Sequence, residues 1–277
     1  MSSTAVPDLR SLEYVDGLKK LRSGTLMIIV SQILGIISLI IFFVSIFSFI
    51  IPLLSPSIQE ITIVPVTPRA PSPRAEDFMR MLQRIPYLLT ILIVFIVLLI
   101  IGGIIYLIGL WGGFIPGARR LGKARPEFGT SSTLLWIGWF WGVLIGIIMF
   151  IAGLALIAIA ITSASIATAF SSIMVFLAGV GIAAILGLIG FIGYLILLYK
   201  LYDVEKNTLY LVAFILSIVS LILSFVGFVP LIGILISSAS TILSLVSWIL
   251  LYVALGESIK KISTTPSTAL QTPTQLI

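Results

Sequence analysis

Residues 133–199 read TLLWIGWFWGVLIGIIMFIAGLALIAIAITSASIATAFSSIMVFLAGVGIAAILGLIGFIGYLILLY and contain no Asp, Glu, Lys, Arg or His in 67 positions. A single helix of that length would reach about 100 Å, whereas the hydrocarbon core of a bilayer is about 30 Å thick. The stretch must therefore fold back on itself. Its most polar part is residues 162–172, so the sequence predicts a turn there between two membrane spans.

The same argument divides the rest of the chain. Residues 209–255 form a further uncharged stretch of 47 positions, which is too long for one crossing. Residues 227–230 (GFVP) are its best break, because proline stops the helix that precedes it. The sequence predicts an all-α integral membrane protein, a bundle of six transmembrane helices with an N-terminal amphipathic interfacial helix. The predicted spans are about 25–51, 87–115, 133–161, 173–199, 209–229 and 231–255.

The segments outside the spans differ in composition. Residues 1–24 carry apolar side chains at three-residue steps from Leu9, which predicts an amphipathic helix on the membrane surface. Docking of this helix on another part of the protein is the alternative. Residues 52–86 predict a proline-rich extracellular loop with a short interfacial helix over residues 75–85. Residues 256–277 are rich in Ser, Thr, Pro and Gln and predict a disordered cytoplasmic tail.

The basic residues indicate an orientation in the membrane. Of the 16 Lys and Arg residues, twelve fall in the N-terminus, residues 116–132, residues 200–208 and the tail, which share one side of a six-span protein. The proline-rich loop on the opposite side has the other four. Segments rich in Lys and Arg stay in the cytoplasm, so we expect a multi-pass plasma-membrane protein with both termini cytoplasmic.

The composition excludes several kinds of functional site. The chain has no Cys and no His, which removes disulfides, thiolate nucleophiles and the usual zinc and haem ligands. The predicted spans contain no ionisable Asp, Glu, Lys or Arg, and such residues usually mark a proton or ion path. We therefore expect no catalytic residue, no cofactor, no metal and no nucleic-acid partner, in a protein that is not an enzyme.

Residues 117–123 (GARRLGK) match the first seven positions of the phosphate-binding loop G-x-x-x-x-G-K-[ST]. Position eight is Ala124, which has no hydroxyl for magnesium, and an apolar span precedes the motif where a strand is required. We therefore expect no nucleotide here. The basic residues of this segment are interpreted as an orientation signal, with contact to anionic lipid headgroups as the alternative; they are Arg119, Arg120, Lys123 and Arg125.

Small residues recur at four-residue spacing in three of the spans. Faces of this kind let helix backbones approach closely, so packing inside the bundle is the main interpretation. A subunit interface or a solute path is the alternative. The candidate packing residues are Gly109, Gly113, Gly138, Gly142, Gly146, Gly179, Ala183 and Gly187.

Two groups of polar side chains are the remaining candidates. Ser237, Thr241 and Ser244 form a stripe on the sixth span that suggests a path for a neutral solute. Hydrogen bonds back to the helix or across to a neighbouring helix are the alternative. Asp203 and Glu205, in the YDVEKN turn of residues 202–207, are either a cation or substrate site or simply part of the turn.

The GLKKLRSGT segment before the first span, the Ile-rich body and the YDVEKN turn together resemble an uncharacterised archaeal family of multi-spanning membrane proteins, domain of unknown function 973. The resemblance implies an archaeal plasma membrane and supplies no activity or site residue. Two functions fit the sequence. One is a scaffold or subunit of a membrane complex, with a homo-oligomer or another membrane protein as partner. The other is a permease or channel for a neutral or lipidic solute.

Overall fold

Helices make up almost all of the part of the chain that the structure describes. The computed structural model describes residues 9–59, 75–163, 166–227 and 233–264. These residues form eight α-helices and two π-helical segments, π1 and π2, with a short 3-10 turn at Pro126–Phe128. In chain order the elements are α1 (Leu9–Gln59), α2 (Ala75–Leu107), π1 (Ile108–Phe114), α3 (Ile115–Ala124), α4 (Gly129–Leu135), π2 (Trp136–Trp141), α5 (Gly142–Ser163), α6 (Ile166–Glu205), α7 (Thr208–Val226) and α8 (Gly233–Thr264).

Six helical stretches among the described residues are long and apolar enough to cross a membrane, which confirms the predicted all-α fold with six transmembrane helices. A helix pairs its interior backbone N–H and C=O groups within itself, as the water-free core of a bilayer requires. The limits of the spans inside these stretches stay predictions. The stretches are Leu12–Phe47, Leu89–Ala124, Pro126–Ile159, Phe170–Glu205, Thr208–Val226 and Ile236–Thr264.

Three helices extend beyond the expected segment boundaries. α1 runs unbroken from Leu9 to Gln59, so the predicted amphipathic helix and the first span are parts of one helix. α2 likewise joins residues 75–85 to the second span and contains Pro86. α8 continues past Leu255 into the predicted tail, because Leu255 and Ser258 are buried and hold this part of the helix.

Four predicted features lie wholly or partly outside the described residues. They are the core of the proline-rich loop at residues 64–73, part of the turn at residues 164–165, most of the break at residues 228–230 and the tail from residue 265. The helices before the two short gaps, α5 and α7, end at Ser163 and Val226.

The contacts divide the chain into two compact units. Unit 1 comprises Met1–Ile29 and Leu107–Ile277, and unit 2 comprises Val30–Tyr106. Within unit 2, Ser31 Oγ donates to the carbonyl oxygen of Gly102 (2.8 Å), and the rings of Phe42 and Phe95 stack 4.5 Å apart. Since the later residue of α1 pairs with the earlier residue of α2, the two segments of unit 2 run antiparallel.

Glycines bring α1 into backbone contact with π1 and α3 in unit 1. A Cβ atom on Gly113 would lie 2.5 Å from Cα of Gly24, and one on Gly117 would lie 2.6 Å from the backbone nitrogen of Leu21. A Cβ on Gly109 would lie 3.0 Å from the carbonyl oxygen of Gly24. The structure thus places the candidate packing residues Gly109 and Gly113 at a close helix crossing, with Gly24 as the partner of both.

A second glycine crossing joins α4, π2 and α6. A Cβ atom on Gly138 would overlap the backbone nitrogen of Gly190. A Cβ on Gly193 would lie 2.8 Å from the backbone nitrogen of Leu135. Small residues therefore let α6 contact α4 and π2 through the backbone, as is common in membrane proteins.

The first part of α1 packs against protein. Leu18 and Leu21 are fully buried, and a Cβ atom on Gly17 would lie 3.0 Å from Leu121 Cδ2 of α3. These contacts correspond to the docked arrangement that the sequence left as the alternative to a helix on the membrane surface.

We predict that Gly113→Ala lowers the free energy of unfolding by about 1–3 kcal/mol, because the added methyl group overpacks the crossing with Gly24. Gly112→Ala is the matched control, since its Cβ would meet only the Ile108 side chain at 3.9 Å. We expect the control to be neutral or slightly stabilising, because Ala favours a helix more than Gly does. Thermal unfolding of the two variants in detergent measures the difference, and equal midpoints would contradict the role of Gly113.

Candidate functional site

Four segments of unit 1 meet at one end of its helices, which we call the charged end. Tyr14 Oη donates to Glu205 Oε1 (2.5 Å), and Asn207 Nδ2 donates to Glu257 Oε2 (2.8 Å). These bonds connect the start of α1 to the end of α6, and the start of α7 to the last part of α8. The segments are residues 14–22, 119–128, 203–210 and 252–261.

Two residues of the basic segment 119–125 hold the start of α1. Arg120 forms an ion pair with Asp16. The guanidinium carbon of Arg125 lies 4.7 Å from the ring centre of Tyr14, a geometry that favours a cation–π contact. Arg120 and Arg125 therefore have protein partners, whether or not they also contact lipid headgroups.

The other two basic residues lie one helical turn apart on α3. Both Arg119 and Lys123 are exposed. The guanidinium carbon of Arg119 lies 4.6 Å from the ring centre of Trp136, and this ring stacks on Phe140 at 4.0 Å. Arg119 and Lys123 are thus the residues of this segment best placed for an anionic headgroup.

The GARRLGK motif is helical in the structure, since residues 117–123 lie inside α3. Gly117 packs on α1, and a Cβ atom on Gly122 would lie 2.6 Å from Ser132 Oγ of α4. Both glycines therefore serve close helix packing. A phosphate-binding loop instead needs a turn before a helix N-terminus, with its backbone N–H groups free for phosphate.

The YDVEKN turn pairs its two carboxylates with different partners. Glu205 accepts from Tyr14, whereas Asp203 accepts a hydrogen bond from Lys206 Nζ (2.9 Å), which raises the pKa of Lys206 above its usual value. Asn207 caps α7 by accepting from the backbone N–H of Leu209 (3.0 Å). The structure places residues 202–205 at the end of α6, so the turn itself consists of Lys206 and Asn207, and these bonds fit the structural interpretation of the YDVEKN segment.

A polar cavity of about 350 Å³ opens beside this turn. It combines carboxylates, an amide and ammonium groups, so its charges largely balance one another. Its lining residues are Glu205, Lys206, Asn207, Thr208, Glu257, Ser258 and Lys261. Within the described residues, no three His, Cys, Asp or Glu side chains come together in a group that could hold a metal ion.

Four aromatic rings pack together in unit 1 beneath the charged end. Tyr194 of α6 stacks on Trp248 of α8 at 4.9 Å and on Trp139 of π2 at 5.6 Å. Phe114 of π1 lies 5.2 Å from Trp248, edge to face. Stacked and edge-to-face rings at these distances contribute roughly 0.5–1.5 kcal/mol per pair beyond the burial of their area. The two π-helical segments and two long helices are thus joined through one cluster.

A hydroxyl cluster adjoins these rings. Ser217 Oγ of α7 lies 2.7 Å from Ser247 Oγ of α8 and 3.5 Å from Tyr194 Oη, and Ser247 Oγ donates to the carbonyl oxygen of Ala213 (2.9 Å). All three hydroxyl-bearing residues are buried. Each polar group of this cluster is satisfied by another protein group, as burial in a membrane protein requires.

The predicted solute stripe lies beside the buried hydroxyls rather than among them. Ser237 and Thr241 are exposed, and Thr241 Oγ1 donates to the carbonyl oxygen of Ser237 (2.9 Å), while Ser244 is half-buried. Ser240 and Ser247, on the neighbouring face of α8, donate to backbone carbonyl oxygens of α7. The bond of Thr241 matches the alternative in which the hydroxyl pairs with its own helix.

The remaining candidate packing residues lie between α5 and α6. Cβ atoms on Gly142 and Gly146 would lie 3.0 Å from Leu186 Cβ and 3.5 Å from Ala183 Cβ. One on Gly179 would lie 2.5 Å from Met149 Cβ. A Cβ on Gly187 would have no atom within 4 Å, so Gly187 is not part of a close contact.

An apolar groove of about 320 Å³ runs along one side of this helix pair. It includes five of the candidate packing residues, and bulkier side chains form its walls. The lining residues are Gly138, Trp139, Gly142, Val143, Gly146, Ile147, Phe150, Ala183 and Gly187.

Sequence reasoning missed several residues that carry these contacts. Gly24 and Gly190 pack on glycines that were singled out but do not themselves lie in the four-residue pattern that we used, and Ser217 and its partner Ser247 were not candidates. Gly17 and Gly24 are seven residues apart, a spacing that also repeats one helix face and would have indicated the α1 crossing.

The chain contains six helices that are long and apolar enough to cross a membrane, and glycine crossings and buried side-chain clusters hold helices of unit 1 together. These features define a multi-span helical membrane protein. The model of the family described as "Protein of unknown function (DUF973)" matches residues 14–276, so the chain belongs to that family. No curated protein and no solved structure shows significant similarity to the chain.

We predict an interaction energy of about 0.6 kcal/mol between Ser217 and Ser247, the average for interhelical hydrogen bonds in a membrane protein. A double-mutant cycle of Ser217→Ala, Ser247→Ala and the double variant measures it by reversible unfolding in detergent. Thr241→Ala is the matched control, because the exposed Thr241 hydroxyl donates to a carbonyl oxygen of its own helix. Strict additivity of the two serine variants would show that the hydroxyls do not act together.

Proposed function

We propose that the chain is a non-enzymatic scaffold or subunit of a membrane protein complex. The observation that carries the proposal is the closed hydroxyl cluster of Tyr194, Ser217 and Ser247 in the core of unit 1. A transport path or an active site needs polar groups that face a solute. Here the core hydroxyls are engaged with one another and with a backbone carbonyl.

The ionisable groups of the charged end support the same proposal. Glu205 is bonded to Tyr14, Asp203 to Lys206 and Glu257 to Asn207. A nucleophile activated by a general base needs the two groups within hydrogen-bond reach of each other and of a substrate. Glu205 and Glu257 instead connect helices, and Asp203 pairs with Lys206 in the turn after α6, which are structural roles.

A permease or channel for a neutral or lipidic solute is the second candidate. The hydroxyl stripe on α8 suggested it, but Thr241 bonds to its own helix and Ser237 is exposed on the outside of unit 1. We therefore prefer the first proposal.

Affinity capture tests the proposed function. The full chain, tagged and extracted in a mild detergent, should co-purify with a stoichiometric membrane protein or as a homo-oligomer, because a scaffold or subunit acts through stable contacts. An unrelated six-span protein, tagged in the same way, is the control. A strictly monomeric chain without partners in several mild detergents would contradict the proposal.

We further propose that the charged end faces the cytoplasm, in the plasma membrane of an archaeon. The support is that the four segments of the charged end contain ten of the 16 Lys and Arg residues, and basic segments stay on the cytoplasmic side. The family resemblance in the sequence supports the archaeal membrane.

Cysteine labelling measures the orientation. Because the chain has no Cys, Lys261→Cys and Ser57→Cys each introduce a single thiol, one at the charged end and one near the end of α1, in the segment predicted to be extracellular. In intact cells a membrane-impermeant maleimide should label the second variant and spare the first, and permeabilised cells should label both. The reverse pattern would show that the charged end faces outwards.

A further inference from the structure

Arg22 of α1 is a half-buried cation at the charged end that has no carboxylate partner in the described part of the chain. Its Nε atom is buried and has no hydrogen-bond partner. The two ion pairs among the described residues, Arg120 with Asp16 and Lys206 with Asp203, do not involve it. A partly buried charge is costly unless it is paired, so an anion that neutralises Arg22 would stabilise this arrangement.

The guanidinium group of Arg22 packs with its face on α8. Its Cζ atom lies 4.5 Å from the ring centre of Tyr252, which is a cation–π geometry. One turn further along α8, a Cβ atom on Gly256 would lie 3.1 Å from both Cζ and Nη2 and 3.3 Å from Nε. Because these three distances are nearly equal, Gly256 lies over the face of the guanidinium group and not at its edge.

Contacts to the face leave the N–H donors of Arg22 unused. These donors point outwards in the plane of the guanidinium group, as a fork that fits two oxygens of a phosphate or a carboxylate. No acceptor among the described residues bonds to them, and Glu257, the residue after Gly256, accepts from Asn207 instead. Nε is the one nitrogen of Arg22 that is buried without a partner, so Nη1 and Nη2 are the donors that a ligand can reach.

The predicted spans put Arg22 at the level of the lipid headgroups. The first predicted span starts at residue 25 and the last ends at residue 255, so Arg22 and Gly256 lie just outside the apolar stretches. Lys19 lies one turn before Arg22 on α1, and Lys260 lies one turn after Gly256 on α8. Both lysines are exposed and lie further from the apolar stretches than Arg22, so their charge adds to the attraction for an anion.

We propose that Arg22 binds a phosphate group through Nη1 and Nη2. A phosphate offers two oxygens to the guanidinium fork, and anionic lipids carry such a group at this level of the membrane. Phosphate in solution is the other source of the same chemistry. The site differs from the basic segment 119–125, because Arg22 packs on α8. It goes beyond the scaffold function, because it assigns a ligand to a defined residue.

Binding of phosphatidylglycerol to the full chain in a mild detergent tests the proposal, with native mass spectrometry counting the bound lipids. Arg22→Gln should lower the affinity about fivefold, which corresponds to the about 1 kcal/mol that one basic residue contributes near an anionic headgroup. Lys206→Gln is the matched control, because it removes one positive charge at the same end from an exposed side chain that pairs with Asp203. We expect the control to bind as the original chain does.

Arg22→Lys separates the charge from the fork and also serves if Arg22→Gln does not fold. It keeps a cation beside Tyr252, but an ammonium group lacks the planar fork that holds two oxygens, so its affinity should lie between those of the original chain and Arg22→Gln. Full affinity in Arg22→Lys would overturn the contact through Nη1 and Nη2. Equal affinity in the original chain and a monodisperse Arg22→Gln, or an equal loss in Lys206→Gln, would overturn the proposal as a whole.

Inorganic phosphate distinguishes the two sources of the ligand. If the site takes a lipid headgroup, inorganic phosphate at millimolar concentration should leave the binding of phosphatidylglycerol unchanged. If the site takes phosphate from solution, the same addition should displace the lipid from the original chain and have no effect on Arg22→Gln. Loss of a homo-oligomer in Arg22→Gln with the lipid affinity unchanged would assign Arg22 to a carboxylate of a second copy and overturn the proposal.

Discussion

Contact between helix backbones at glycine is the constraint on which unit 1 depends. Lipid chains are as apolar as leucine, so the hydrophobic effect does not drive helices together inside a bilayer, and close packing must do so. At Gly24 against Gly113, and at Gly138 against Gly190, even a methyl group would meet backbone atoms. The crossing at Gly138 and Gly190 also brings π2 and α6 close enough for Trp139 to stack on Tyr194 in the aromatic cluster.

The distribution of polar groups follows from the same environment. Hydroxyls, which can bond to a backbone carbonyl, occupy the core at Ser217 and Ser247, whereas carboxylates and basic groups are gathered at the charged end. A buried hydroxyl needs one or two neighbours, while a buried carboxylate would also need an opposite charge. Unit 1 thus achieves polar contacts between helices without placing an ion in the apolar region.

The fold could be predicted from the sequence because length and the absence of charge determine how often a helix must cross a bilayer. The candidate site could be predicted only in part. In α8 hydroxyl side chains lie on more than one face, so its periodicity could not distinguish the exposed face of Ser237 and Thr241 from the buried face of Ser240 and Ser247. The spacing of Gly109 and Gly113 indicated a packing face, but their partner Gly24 depends on how two distant helices meet.

The π-helical geometry of π1 couples the length of this segment to the rotation of α3. A π-helix has i→i+5 hydrogen bonds, so each of its residues turns the chain by less than the about 100° of an α-helix. If the seven residues Ile108–Phe114 wound as an α-helix instead, everything after them would be rotated further. Gly109 would keep its place, while Gly117 would turn away from α1. The close packing of Gly117 on α1 thus depends on how a segment with a plain apolar sequence is wound, although single apolar replacements at its exposed positions, such as Ile108, leave the winding unchanged.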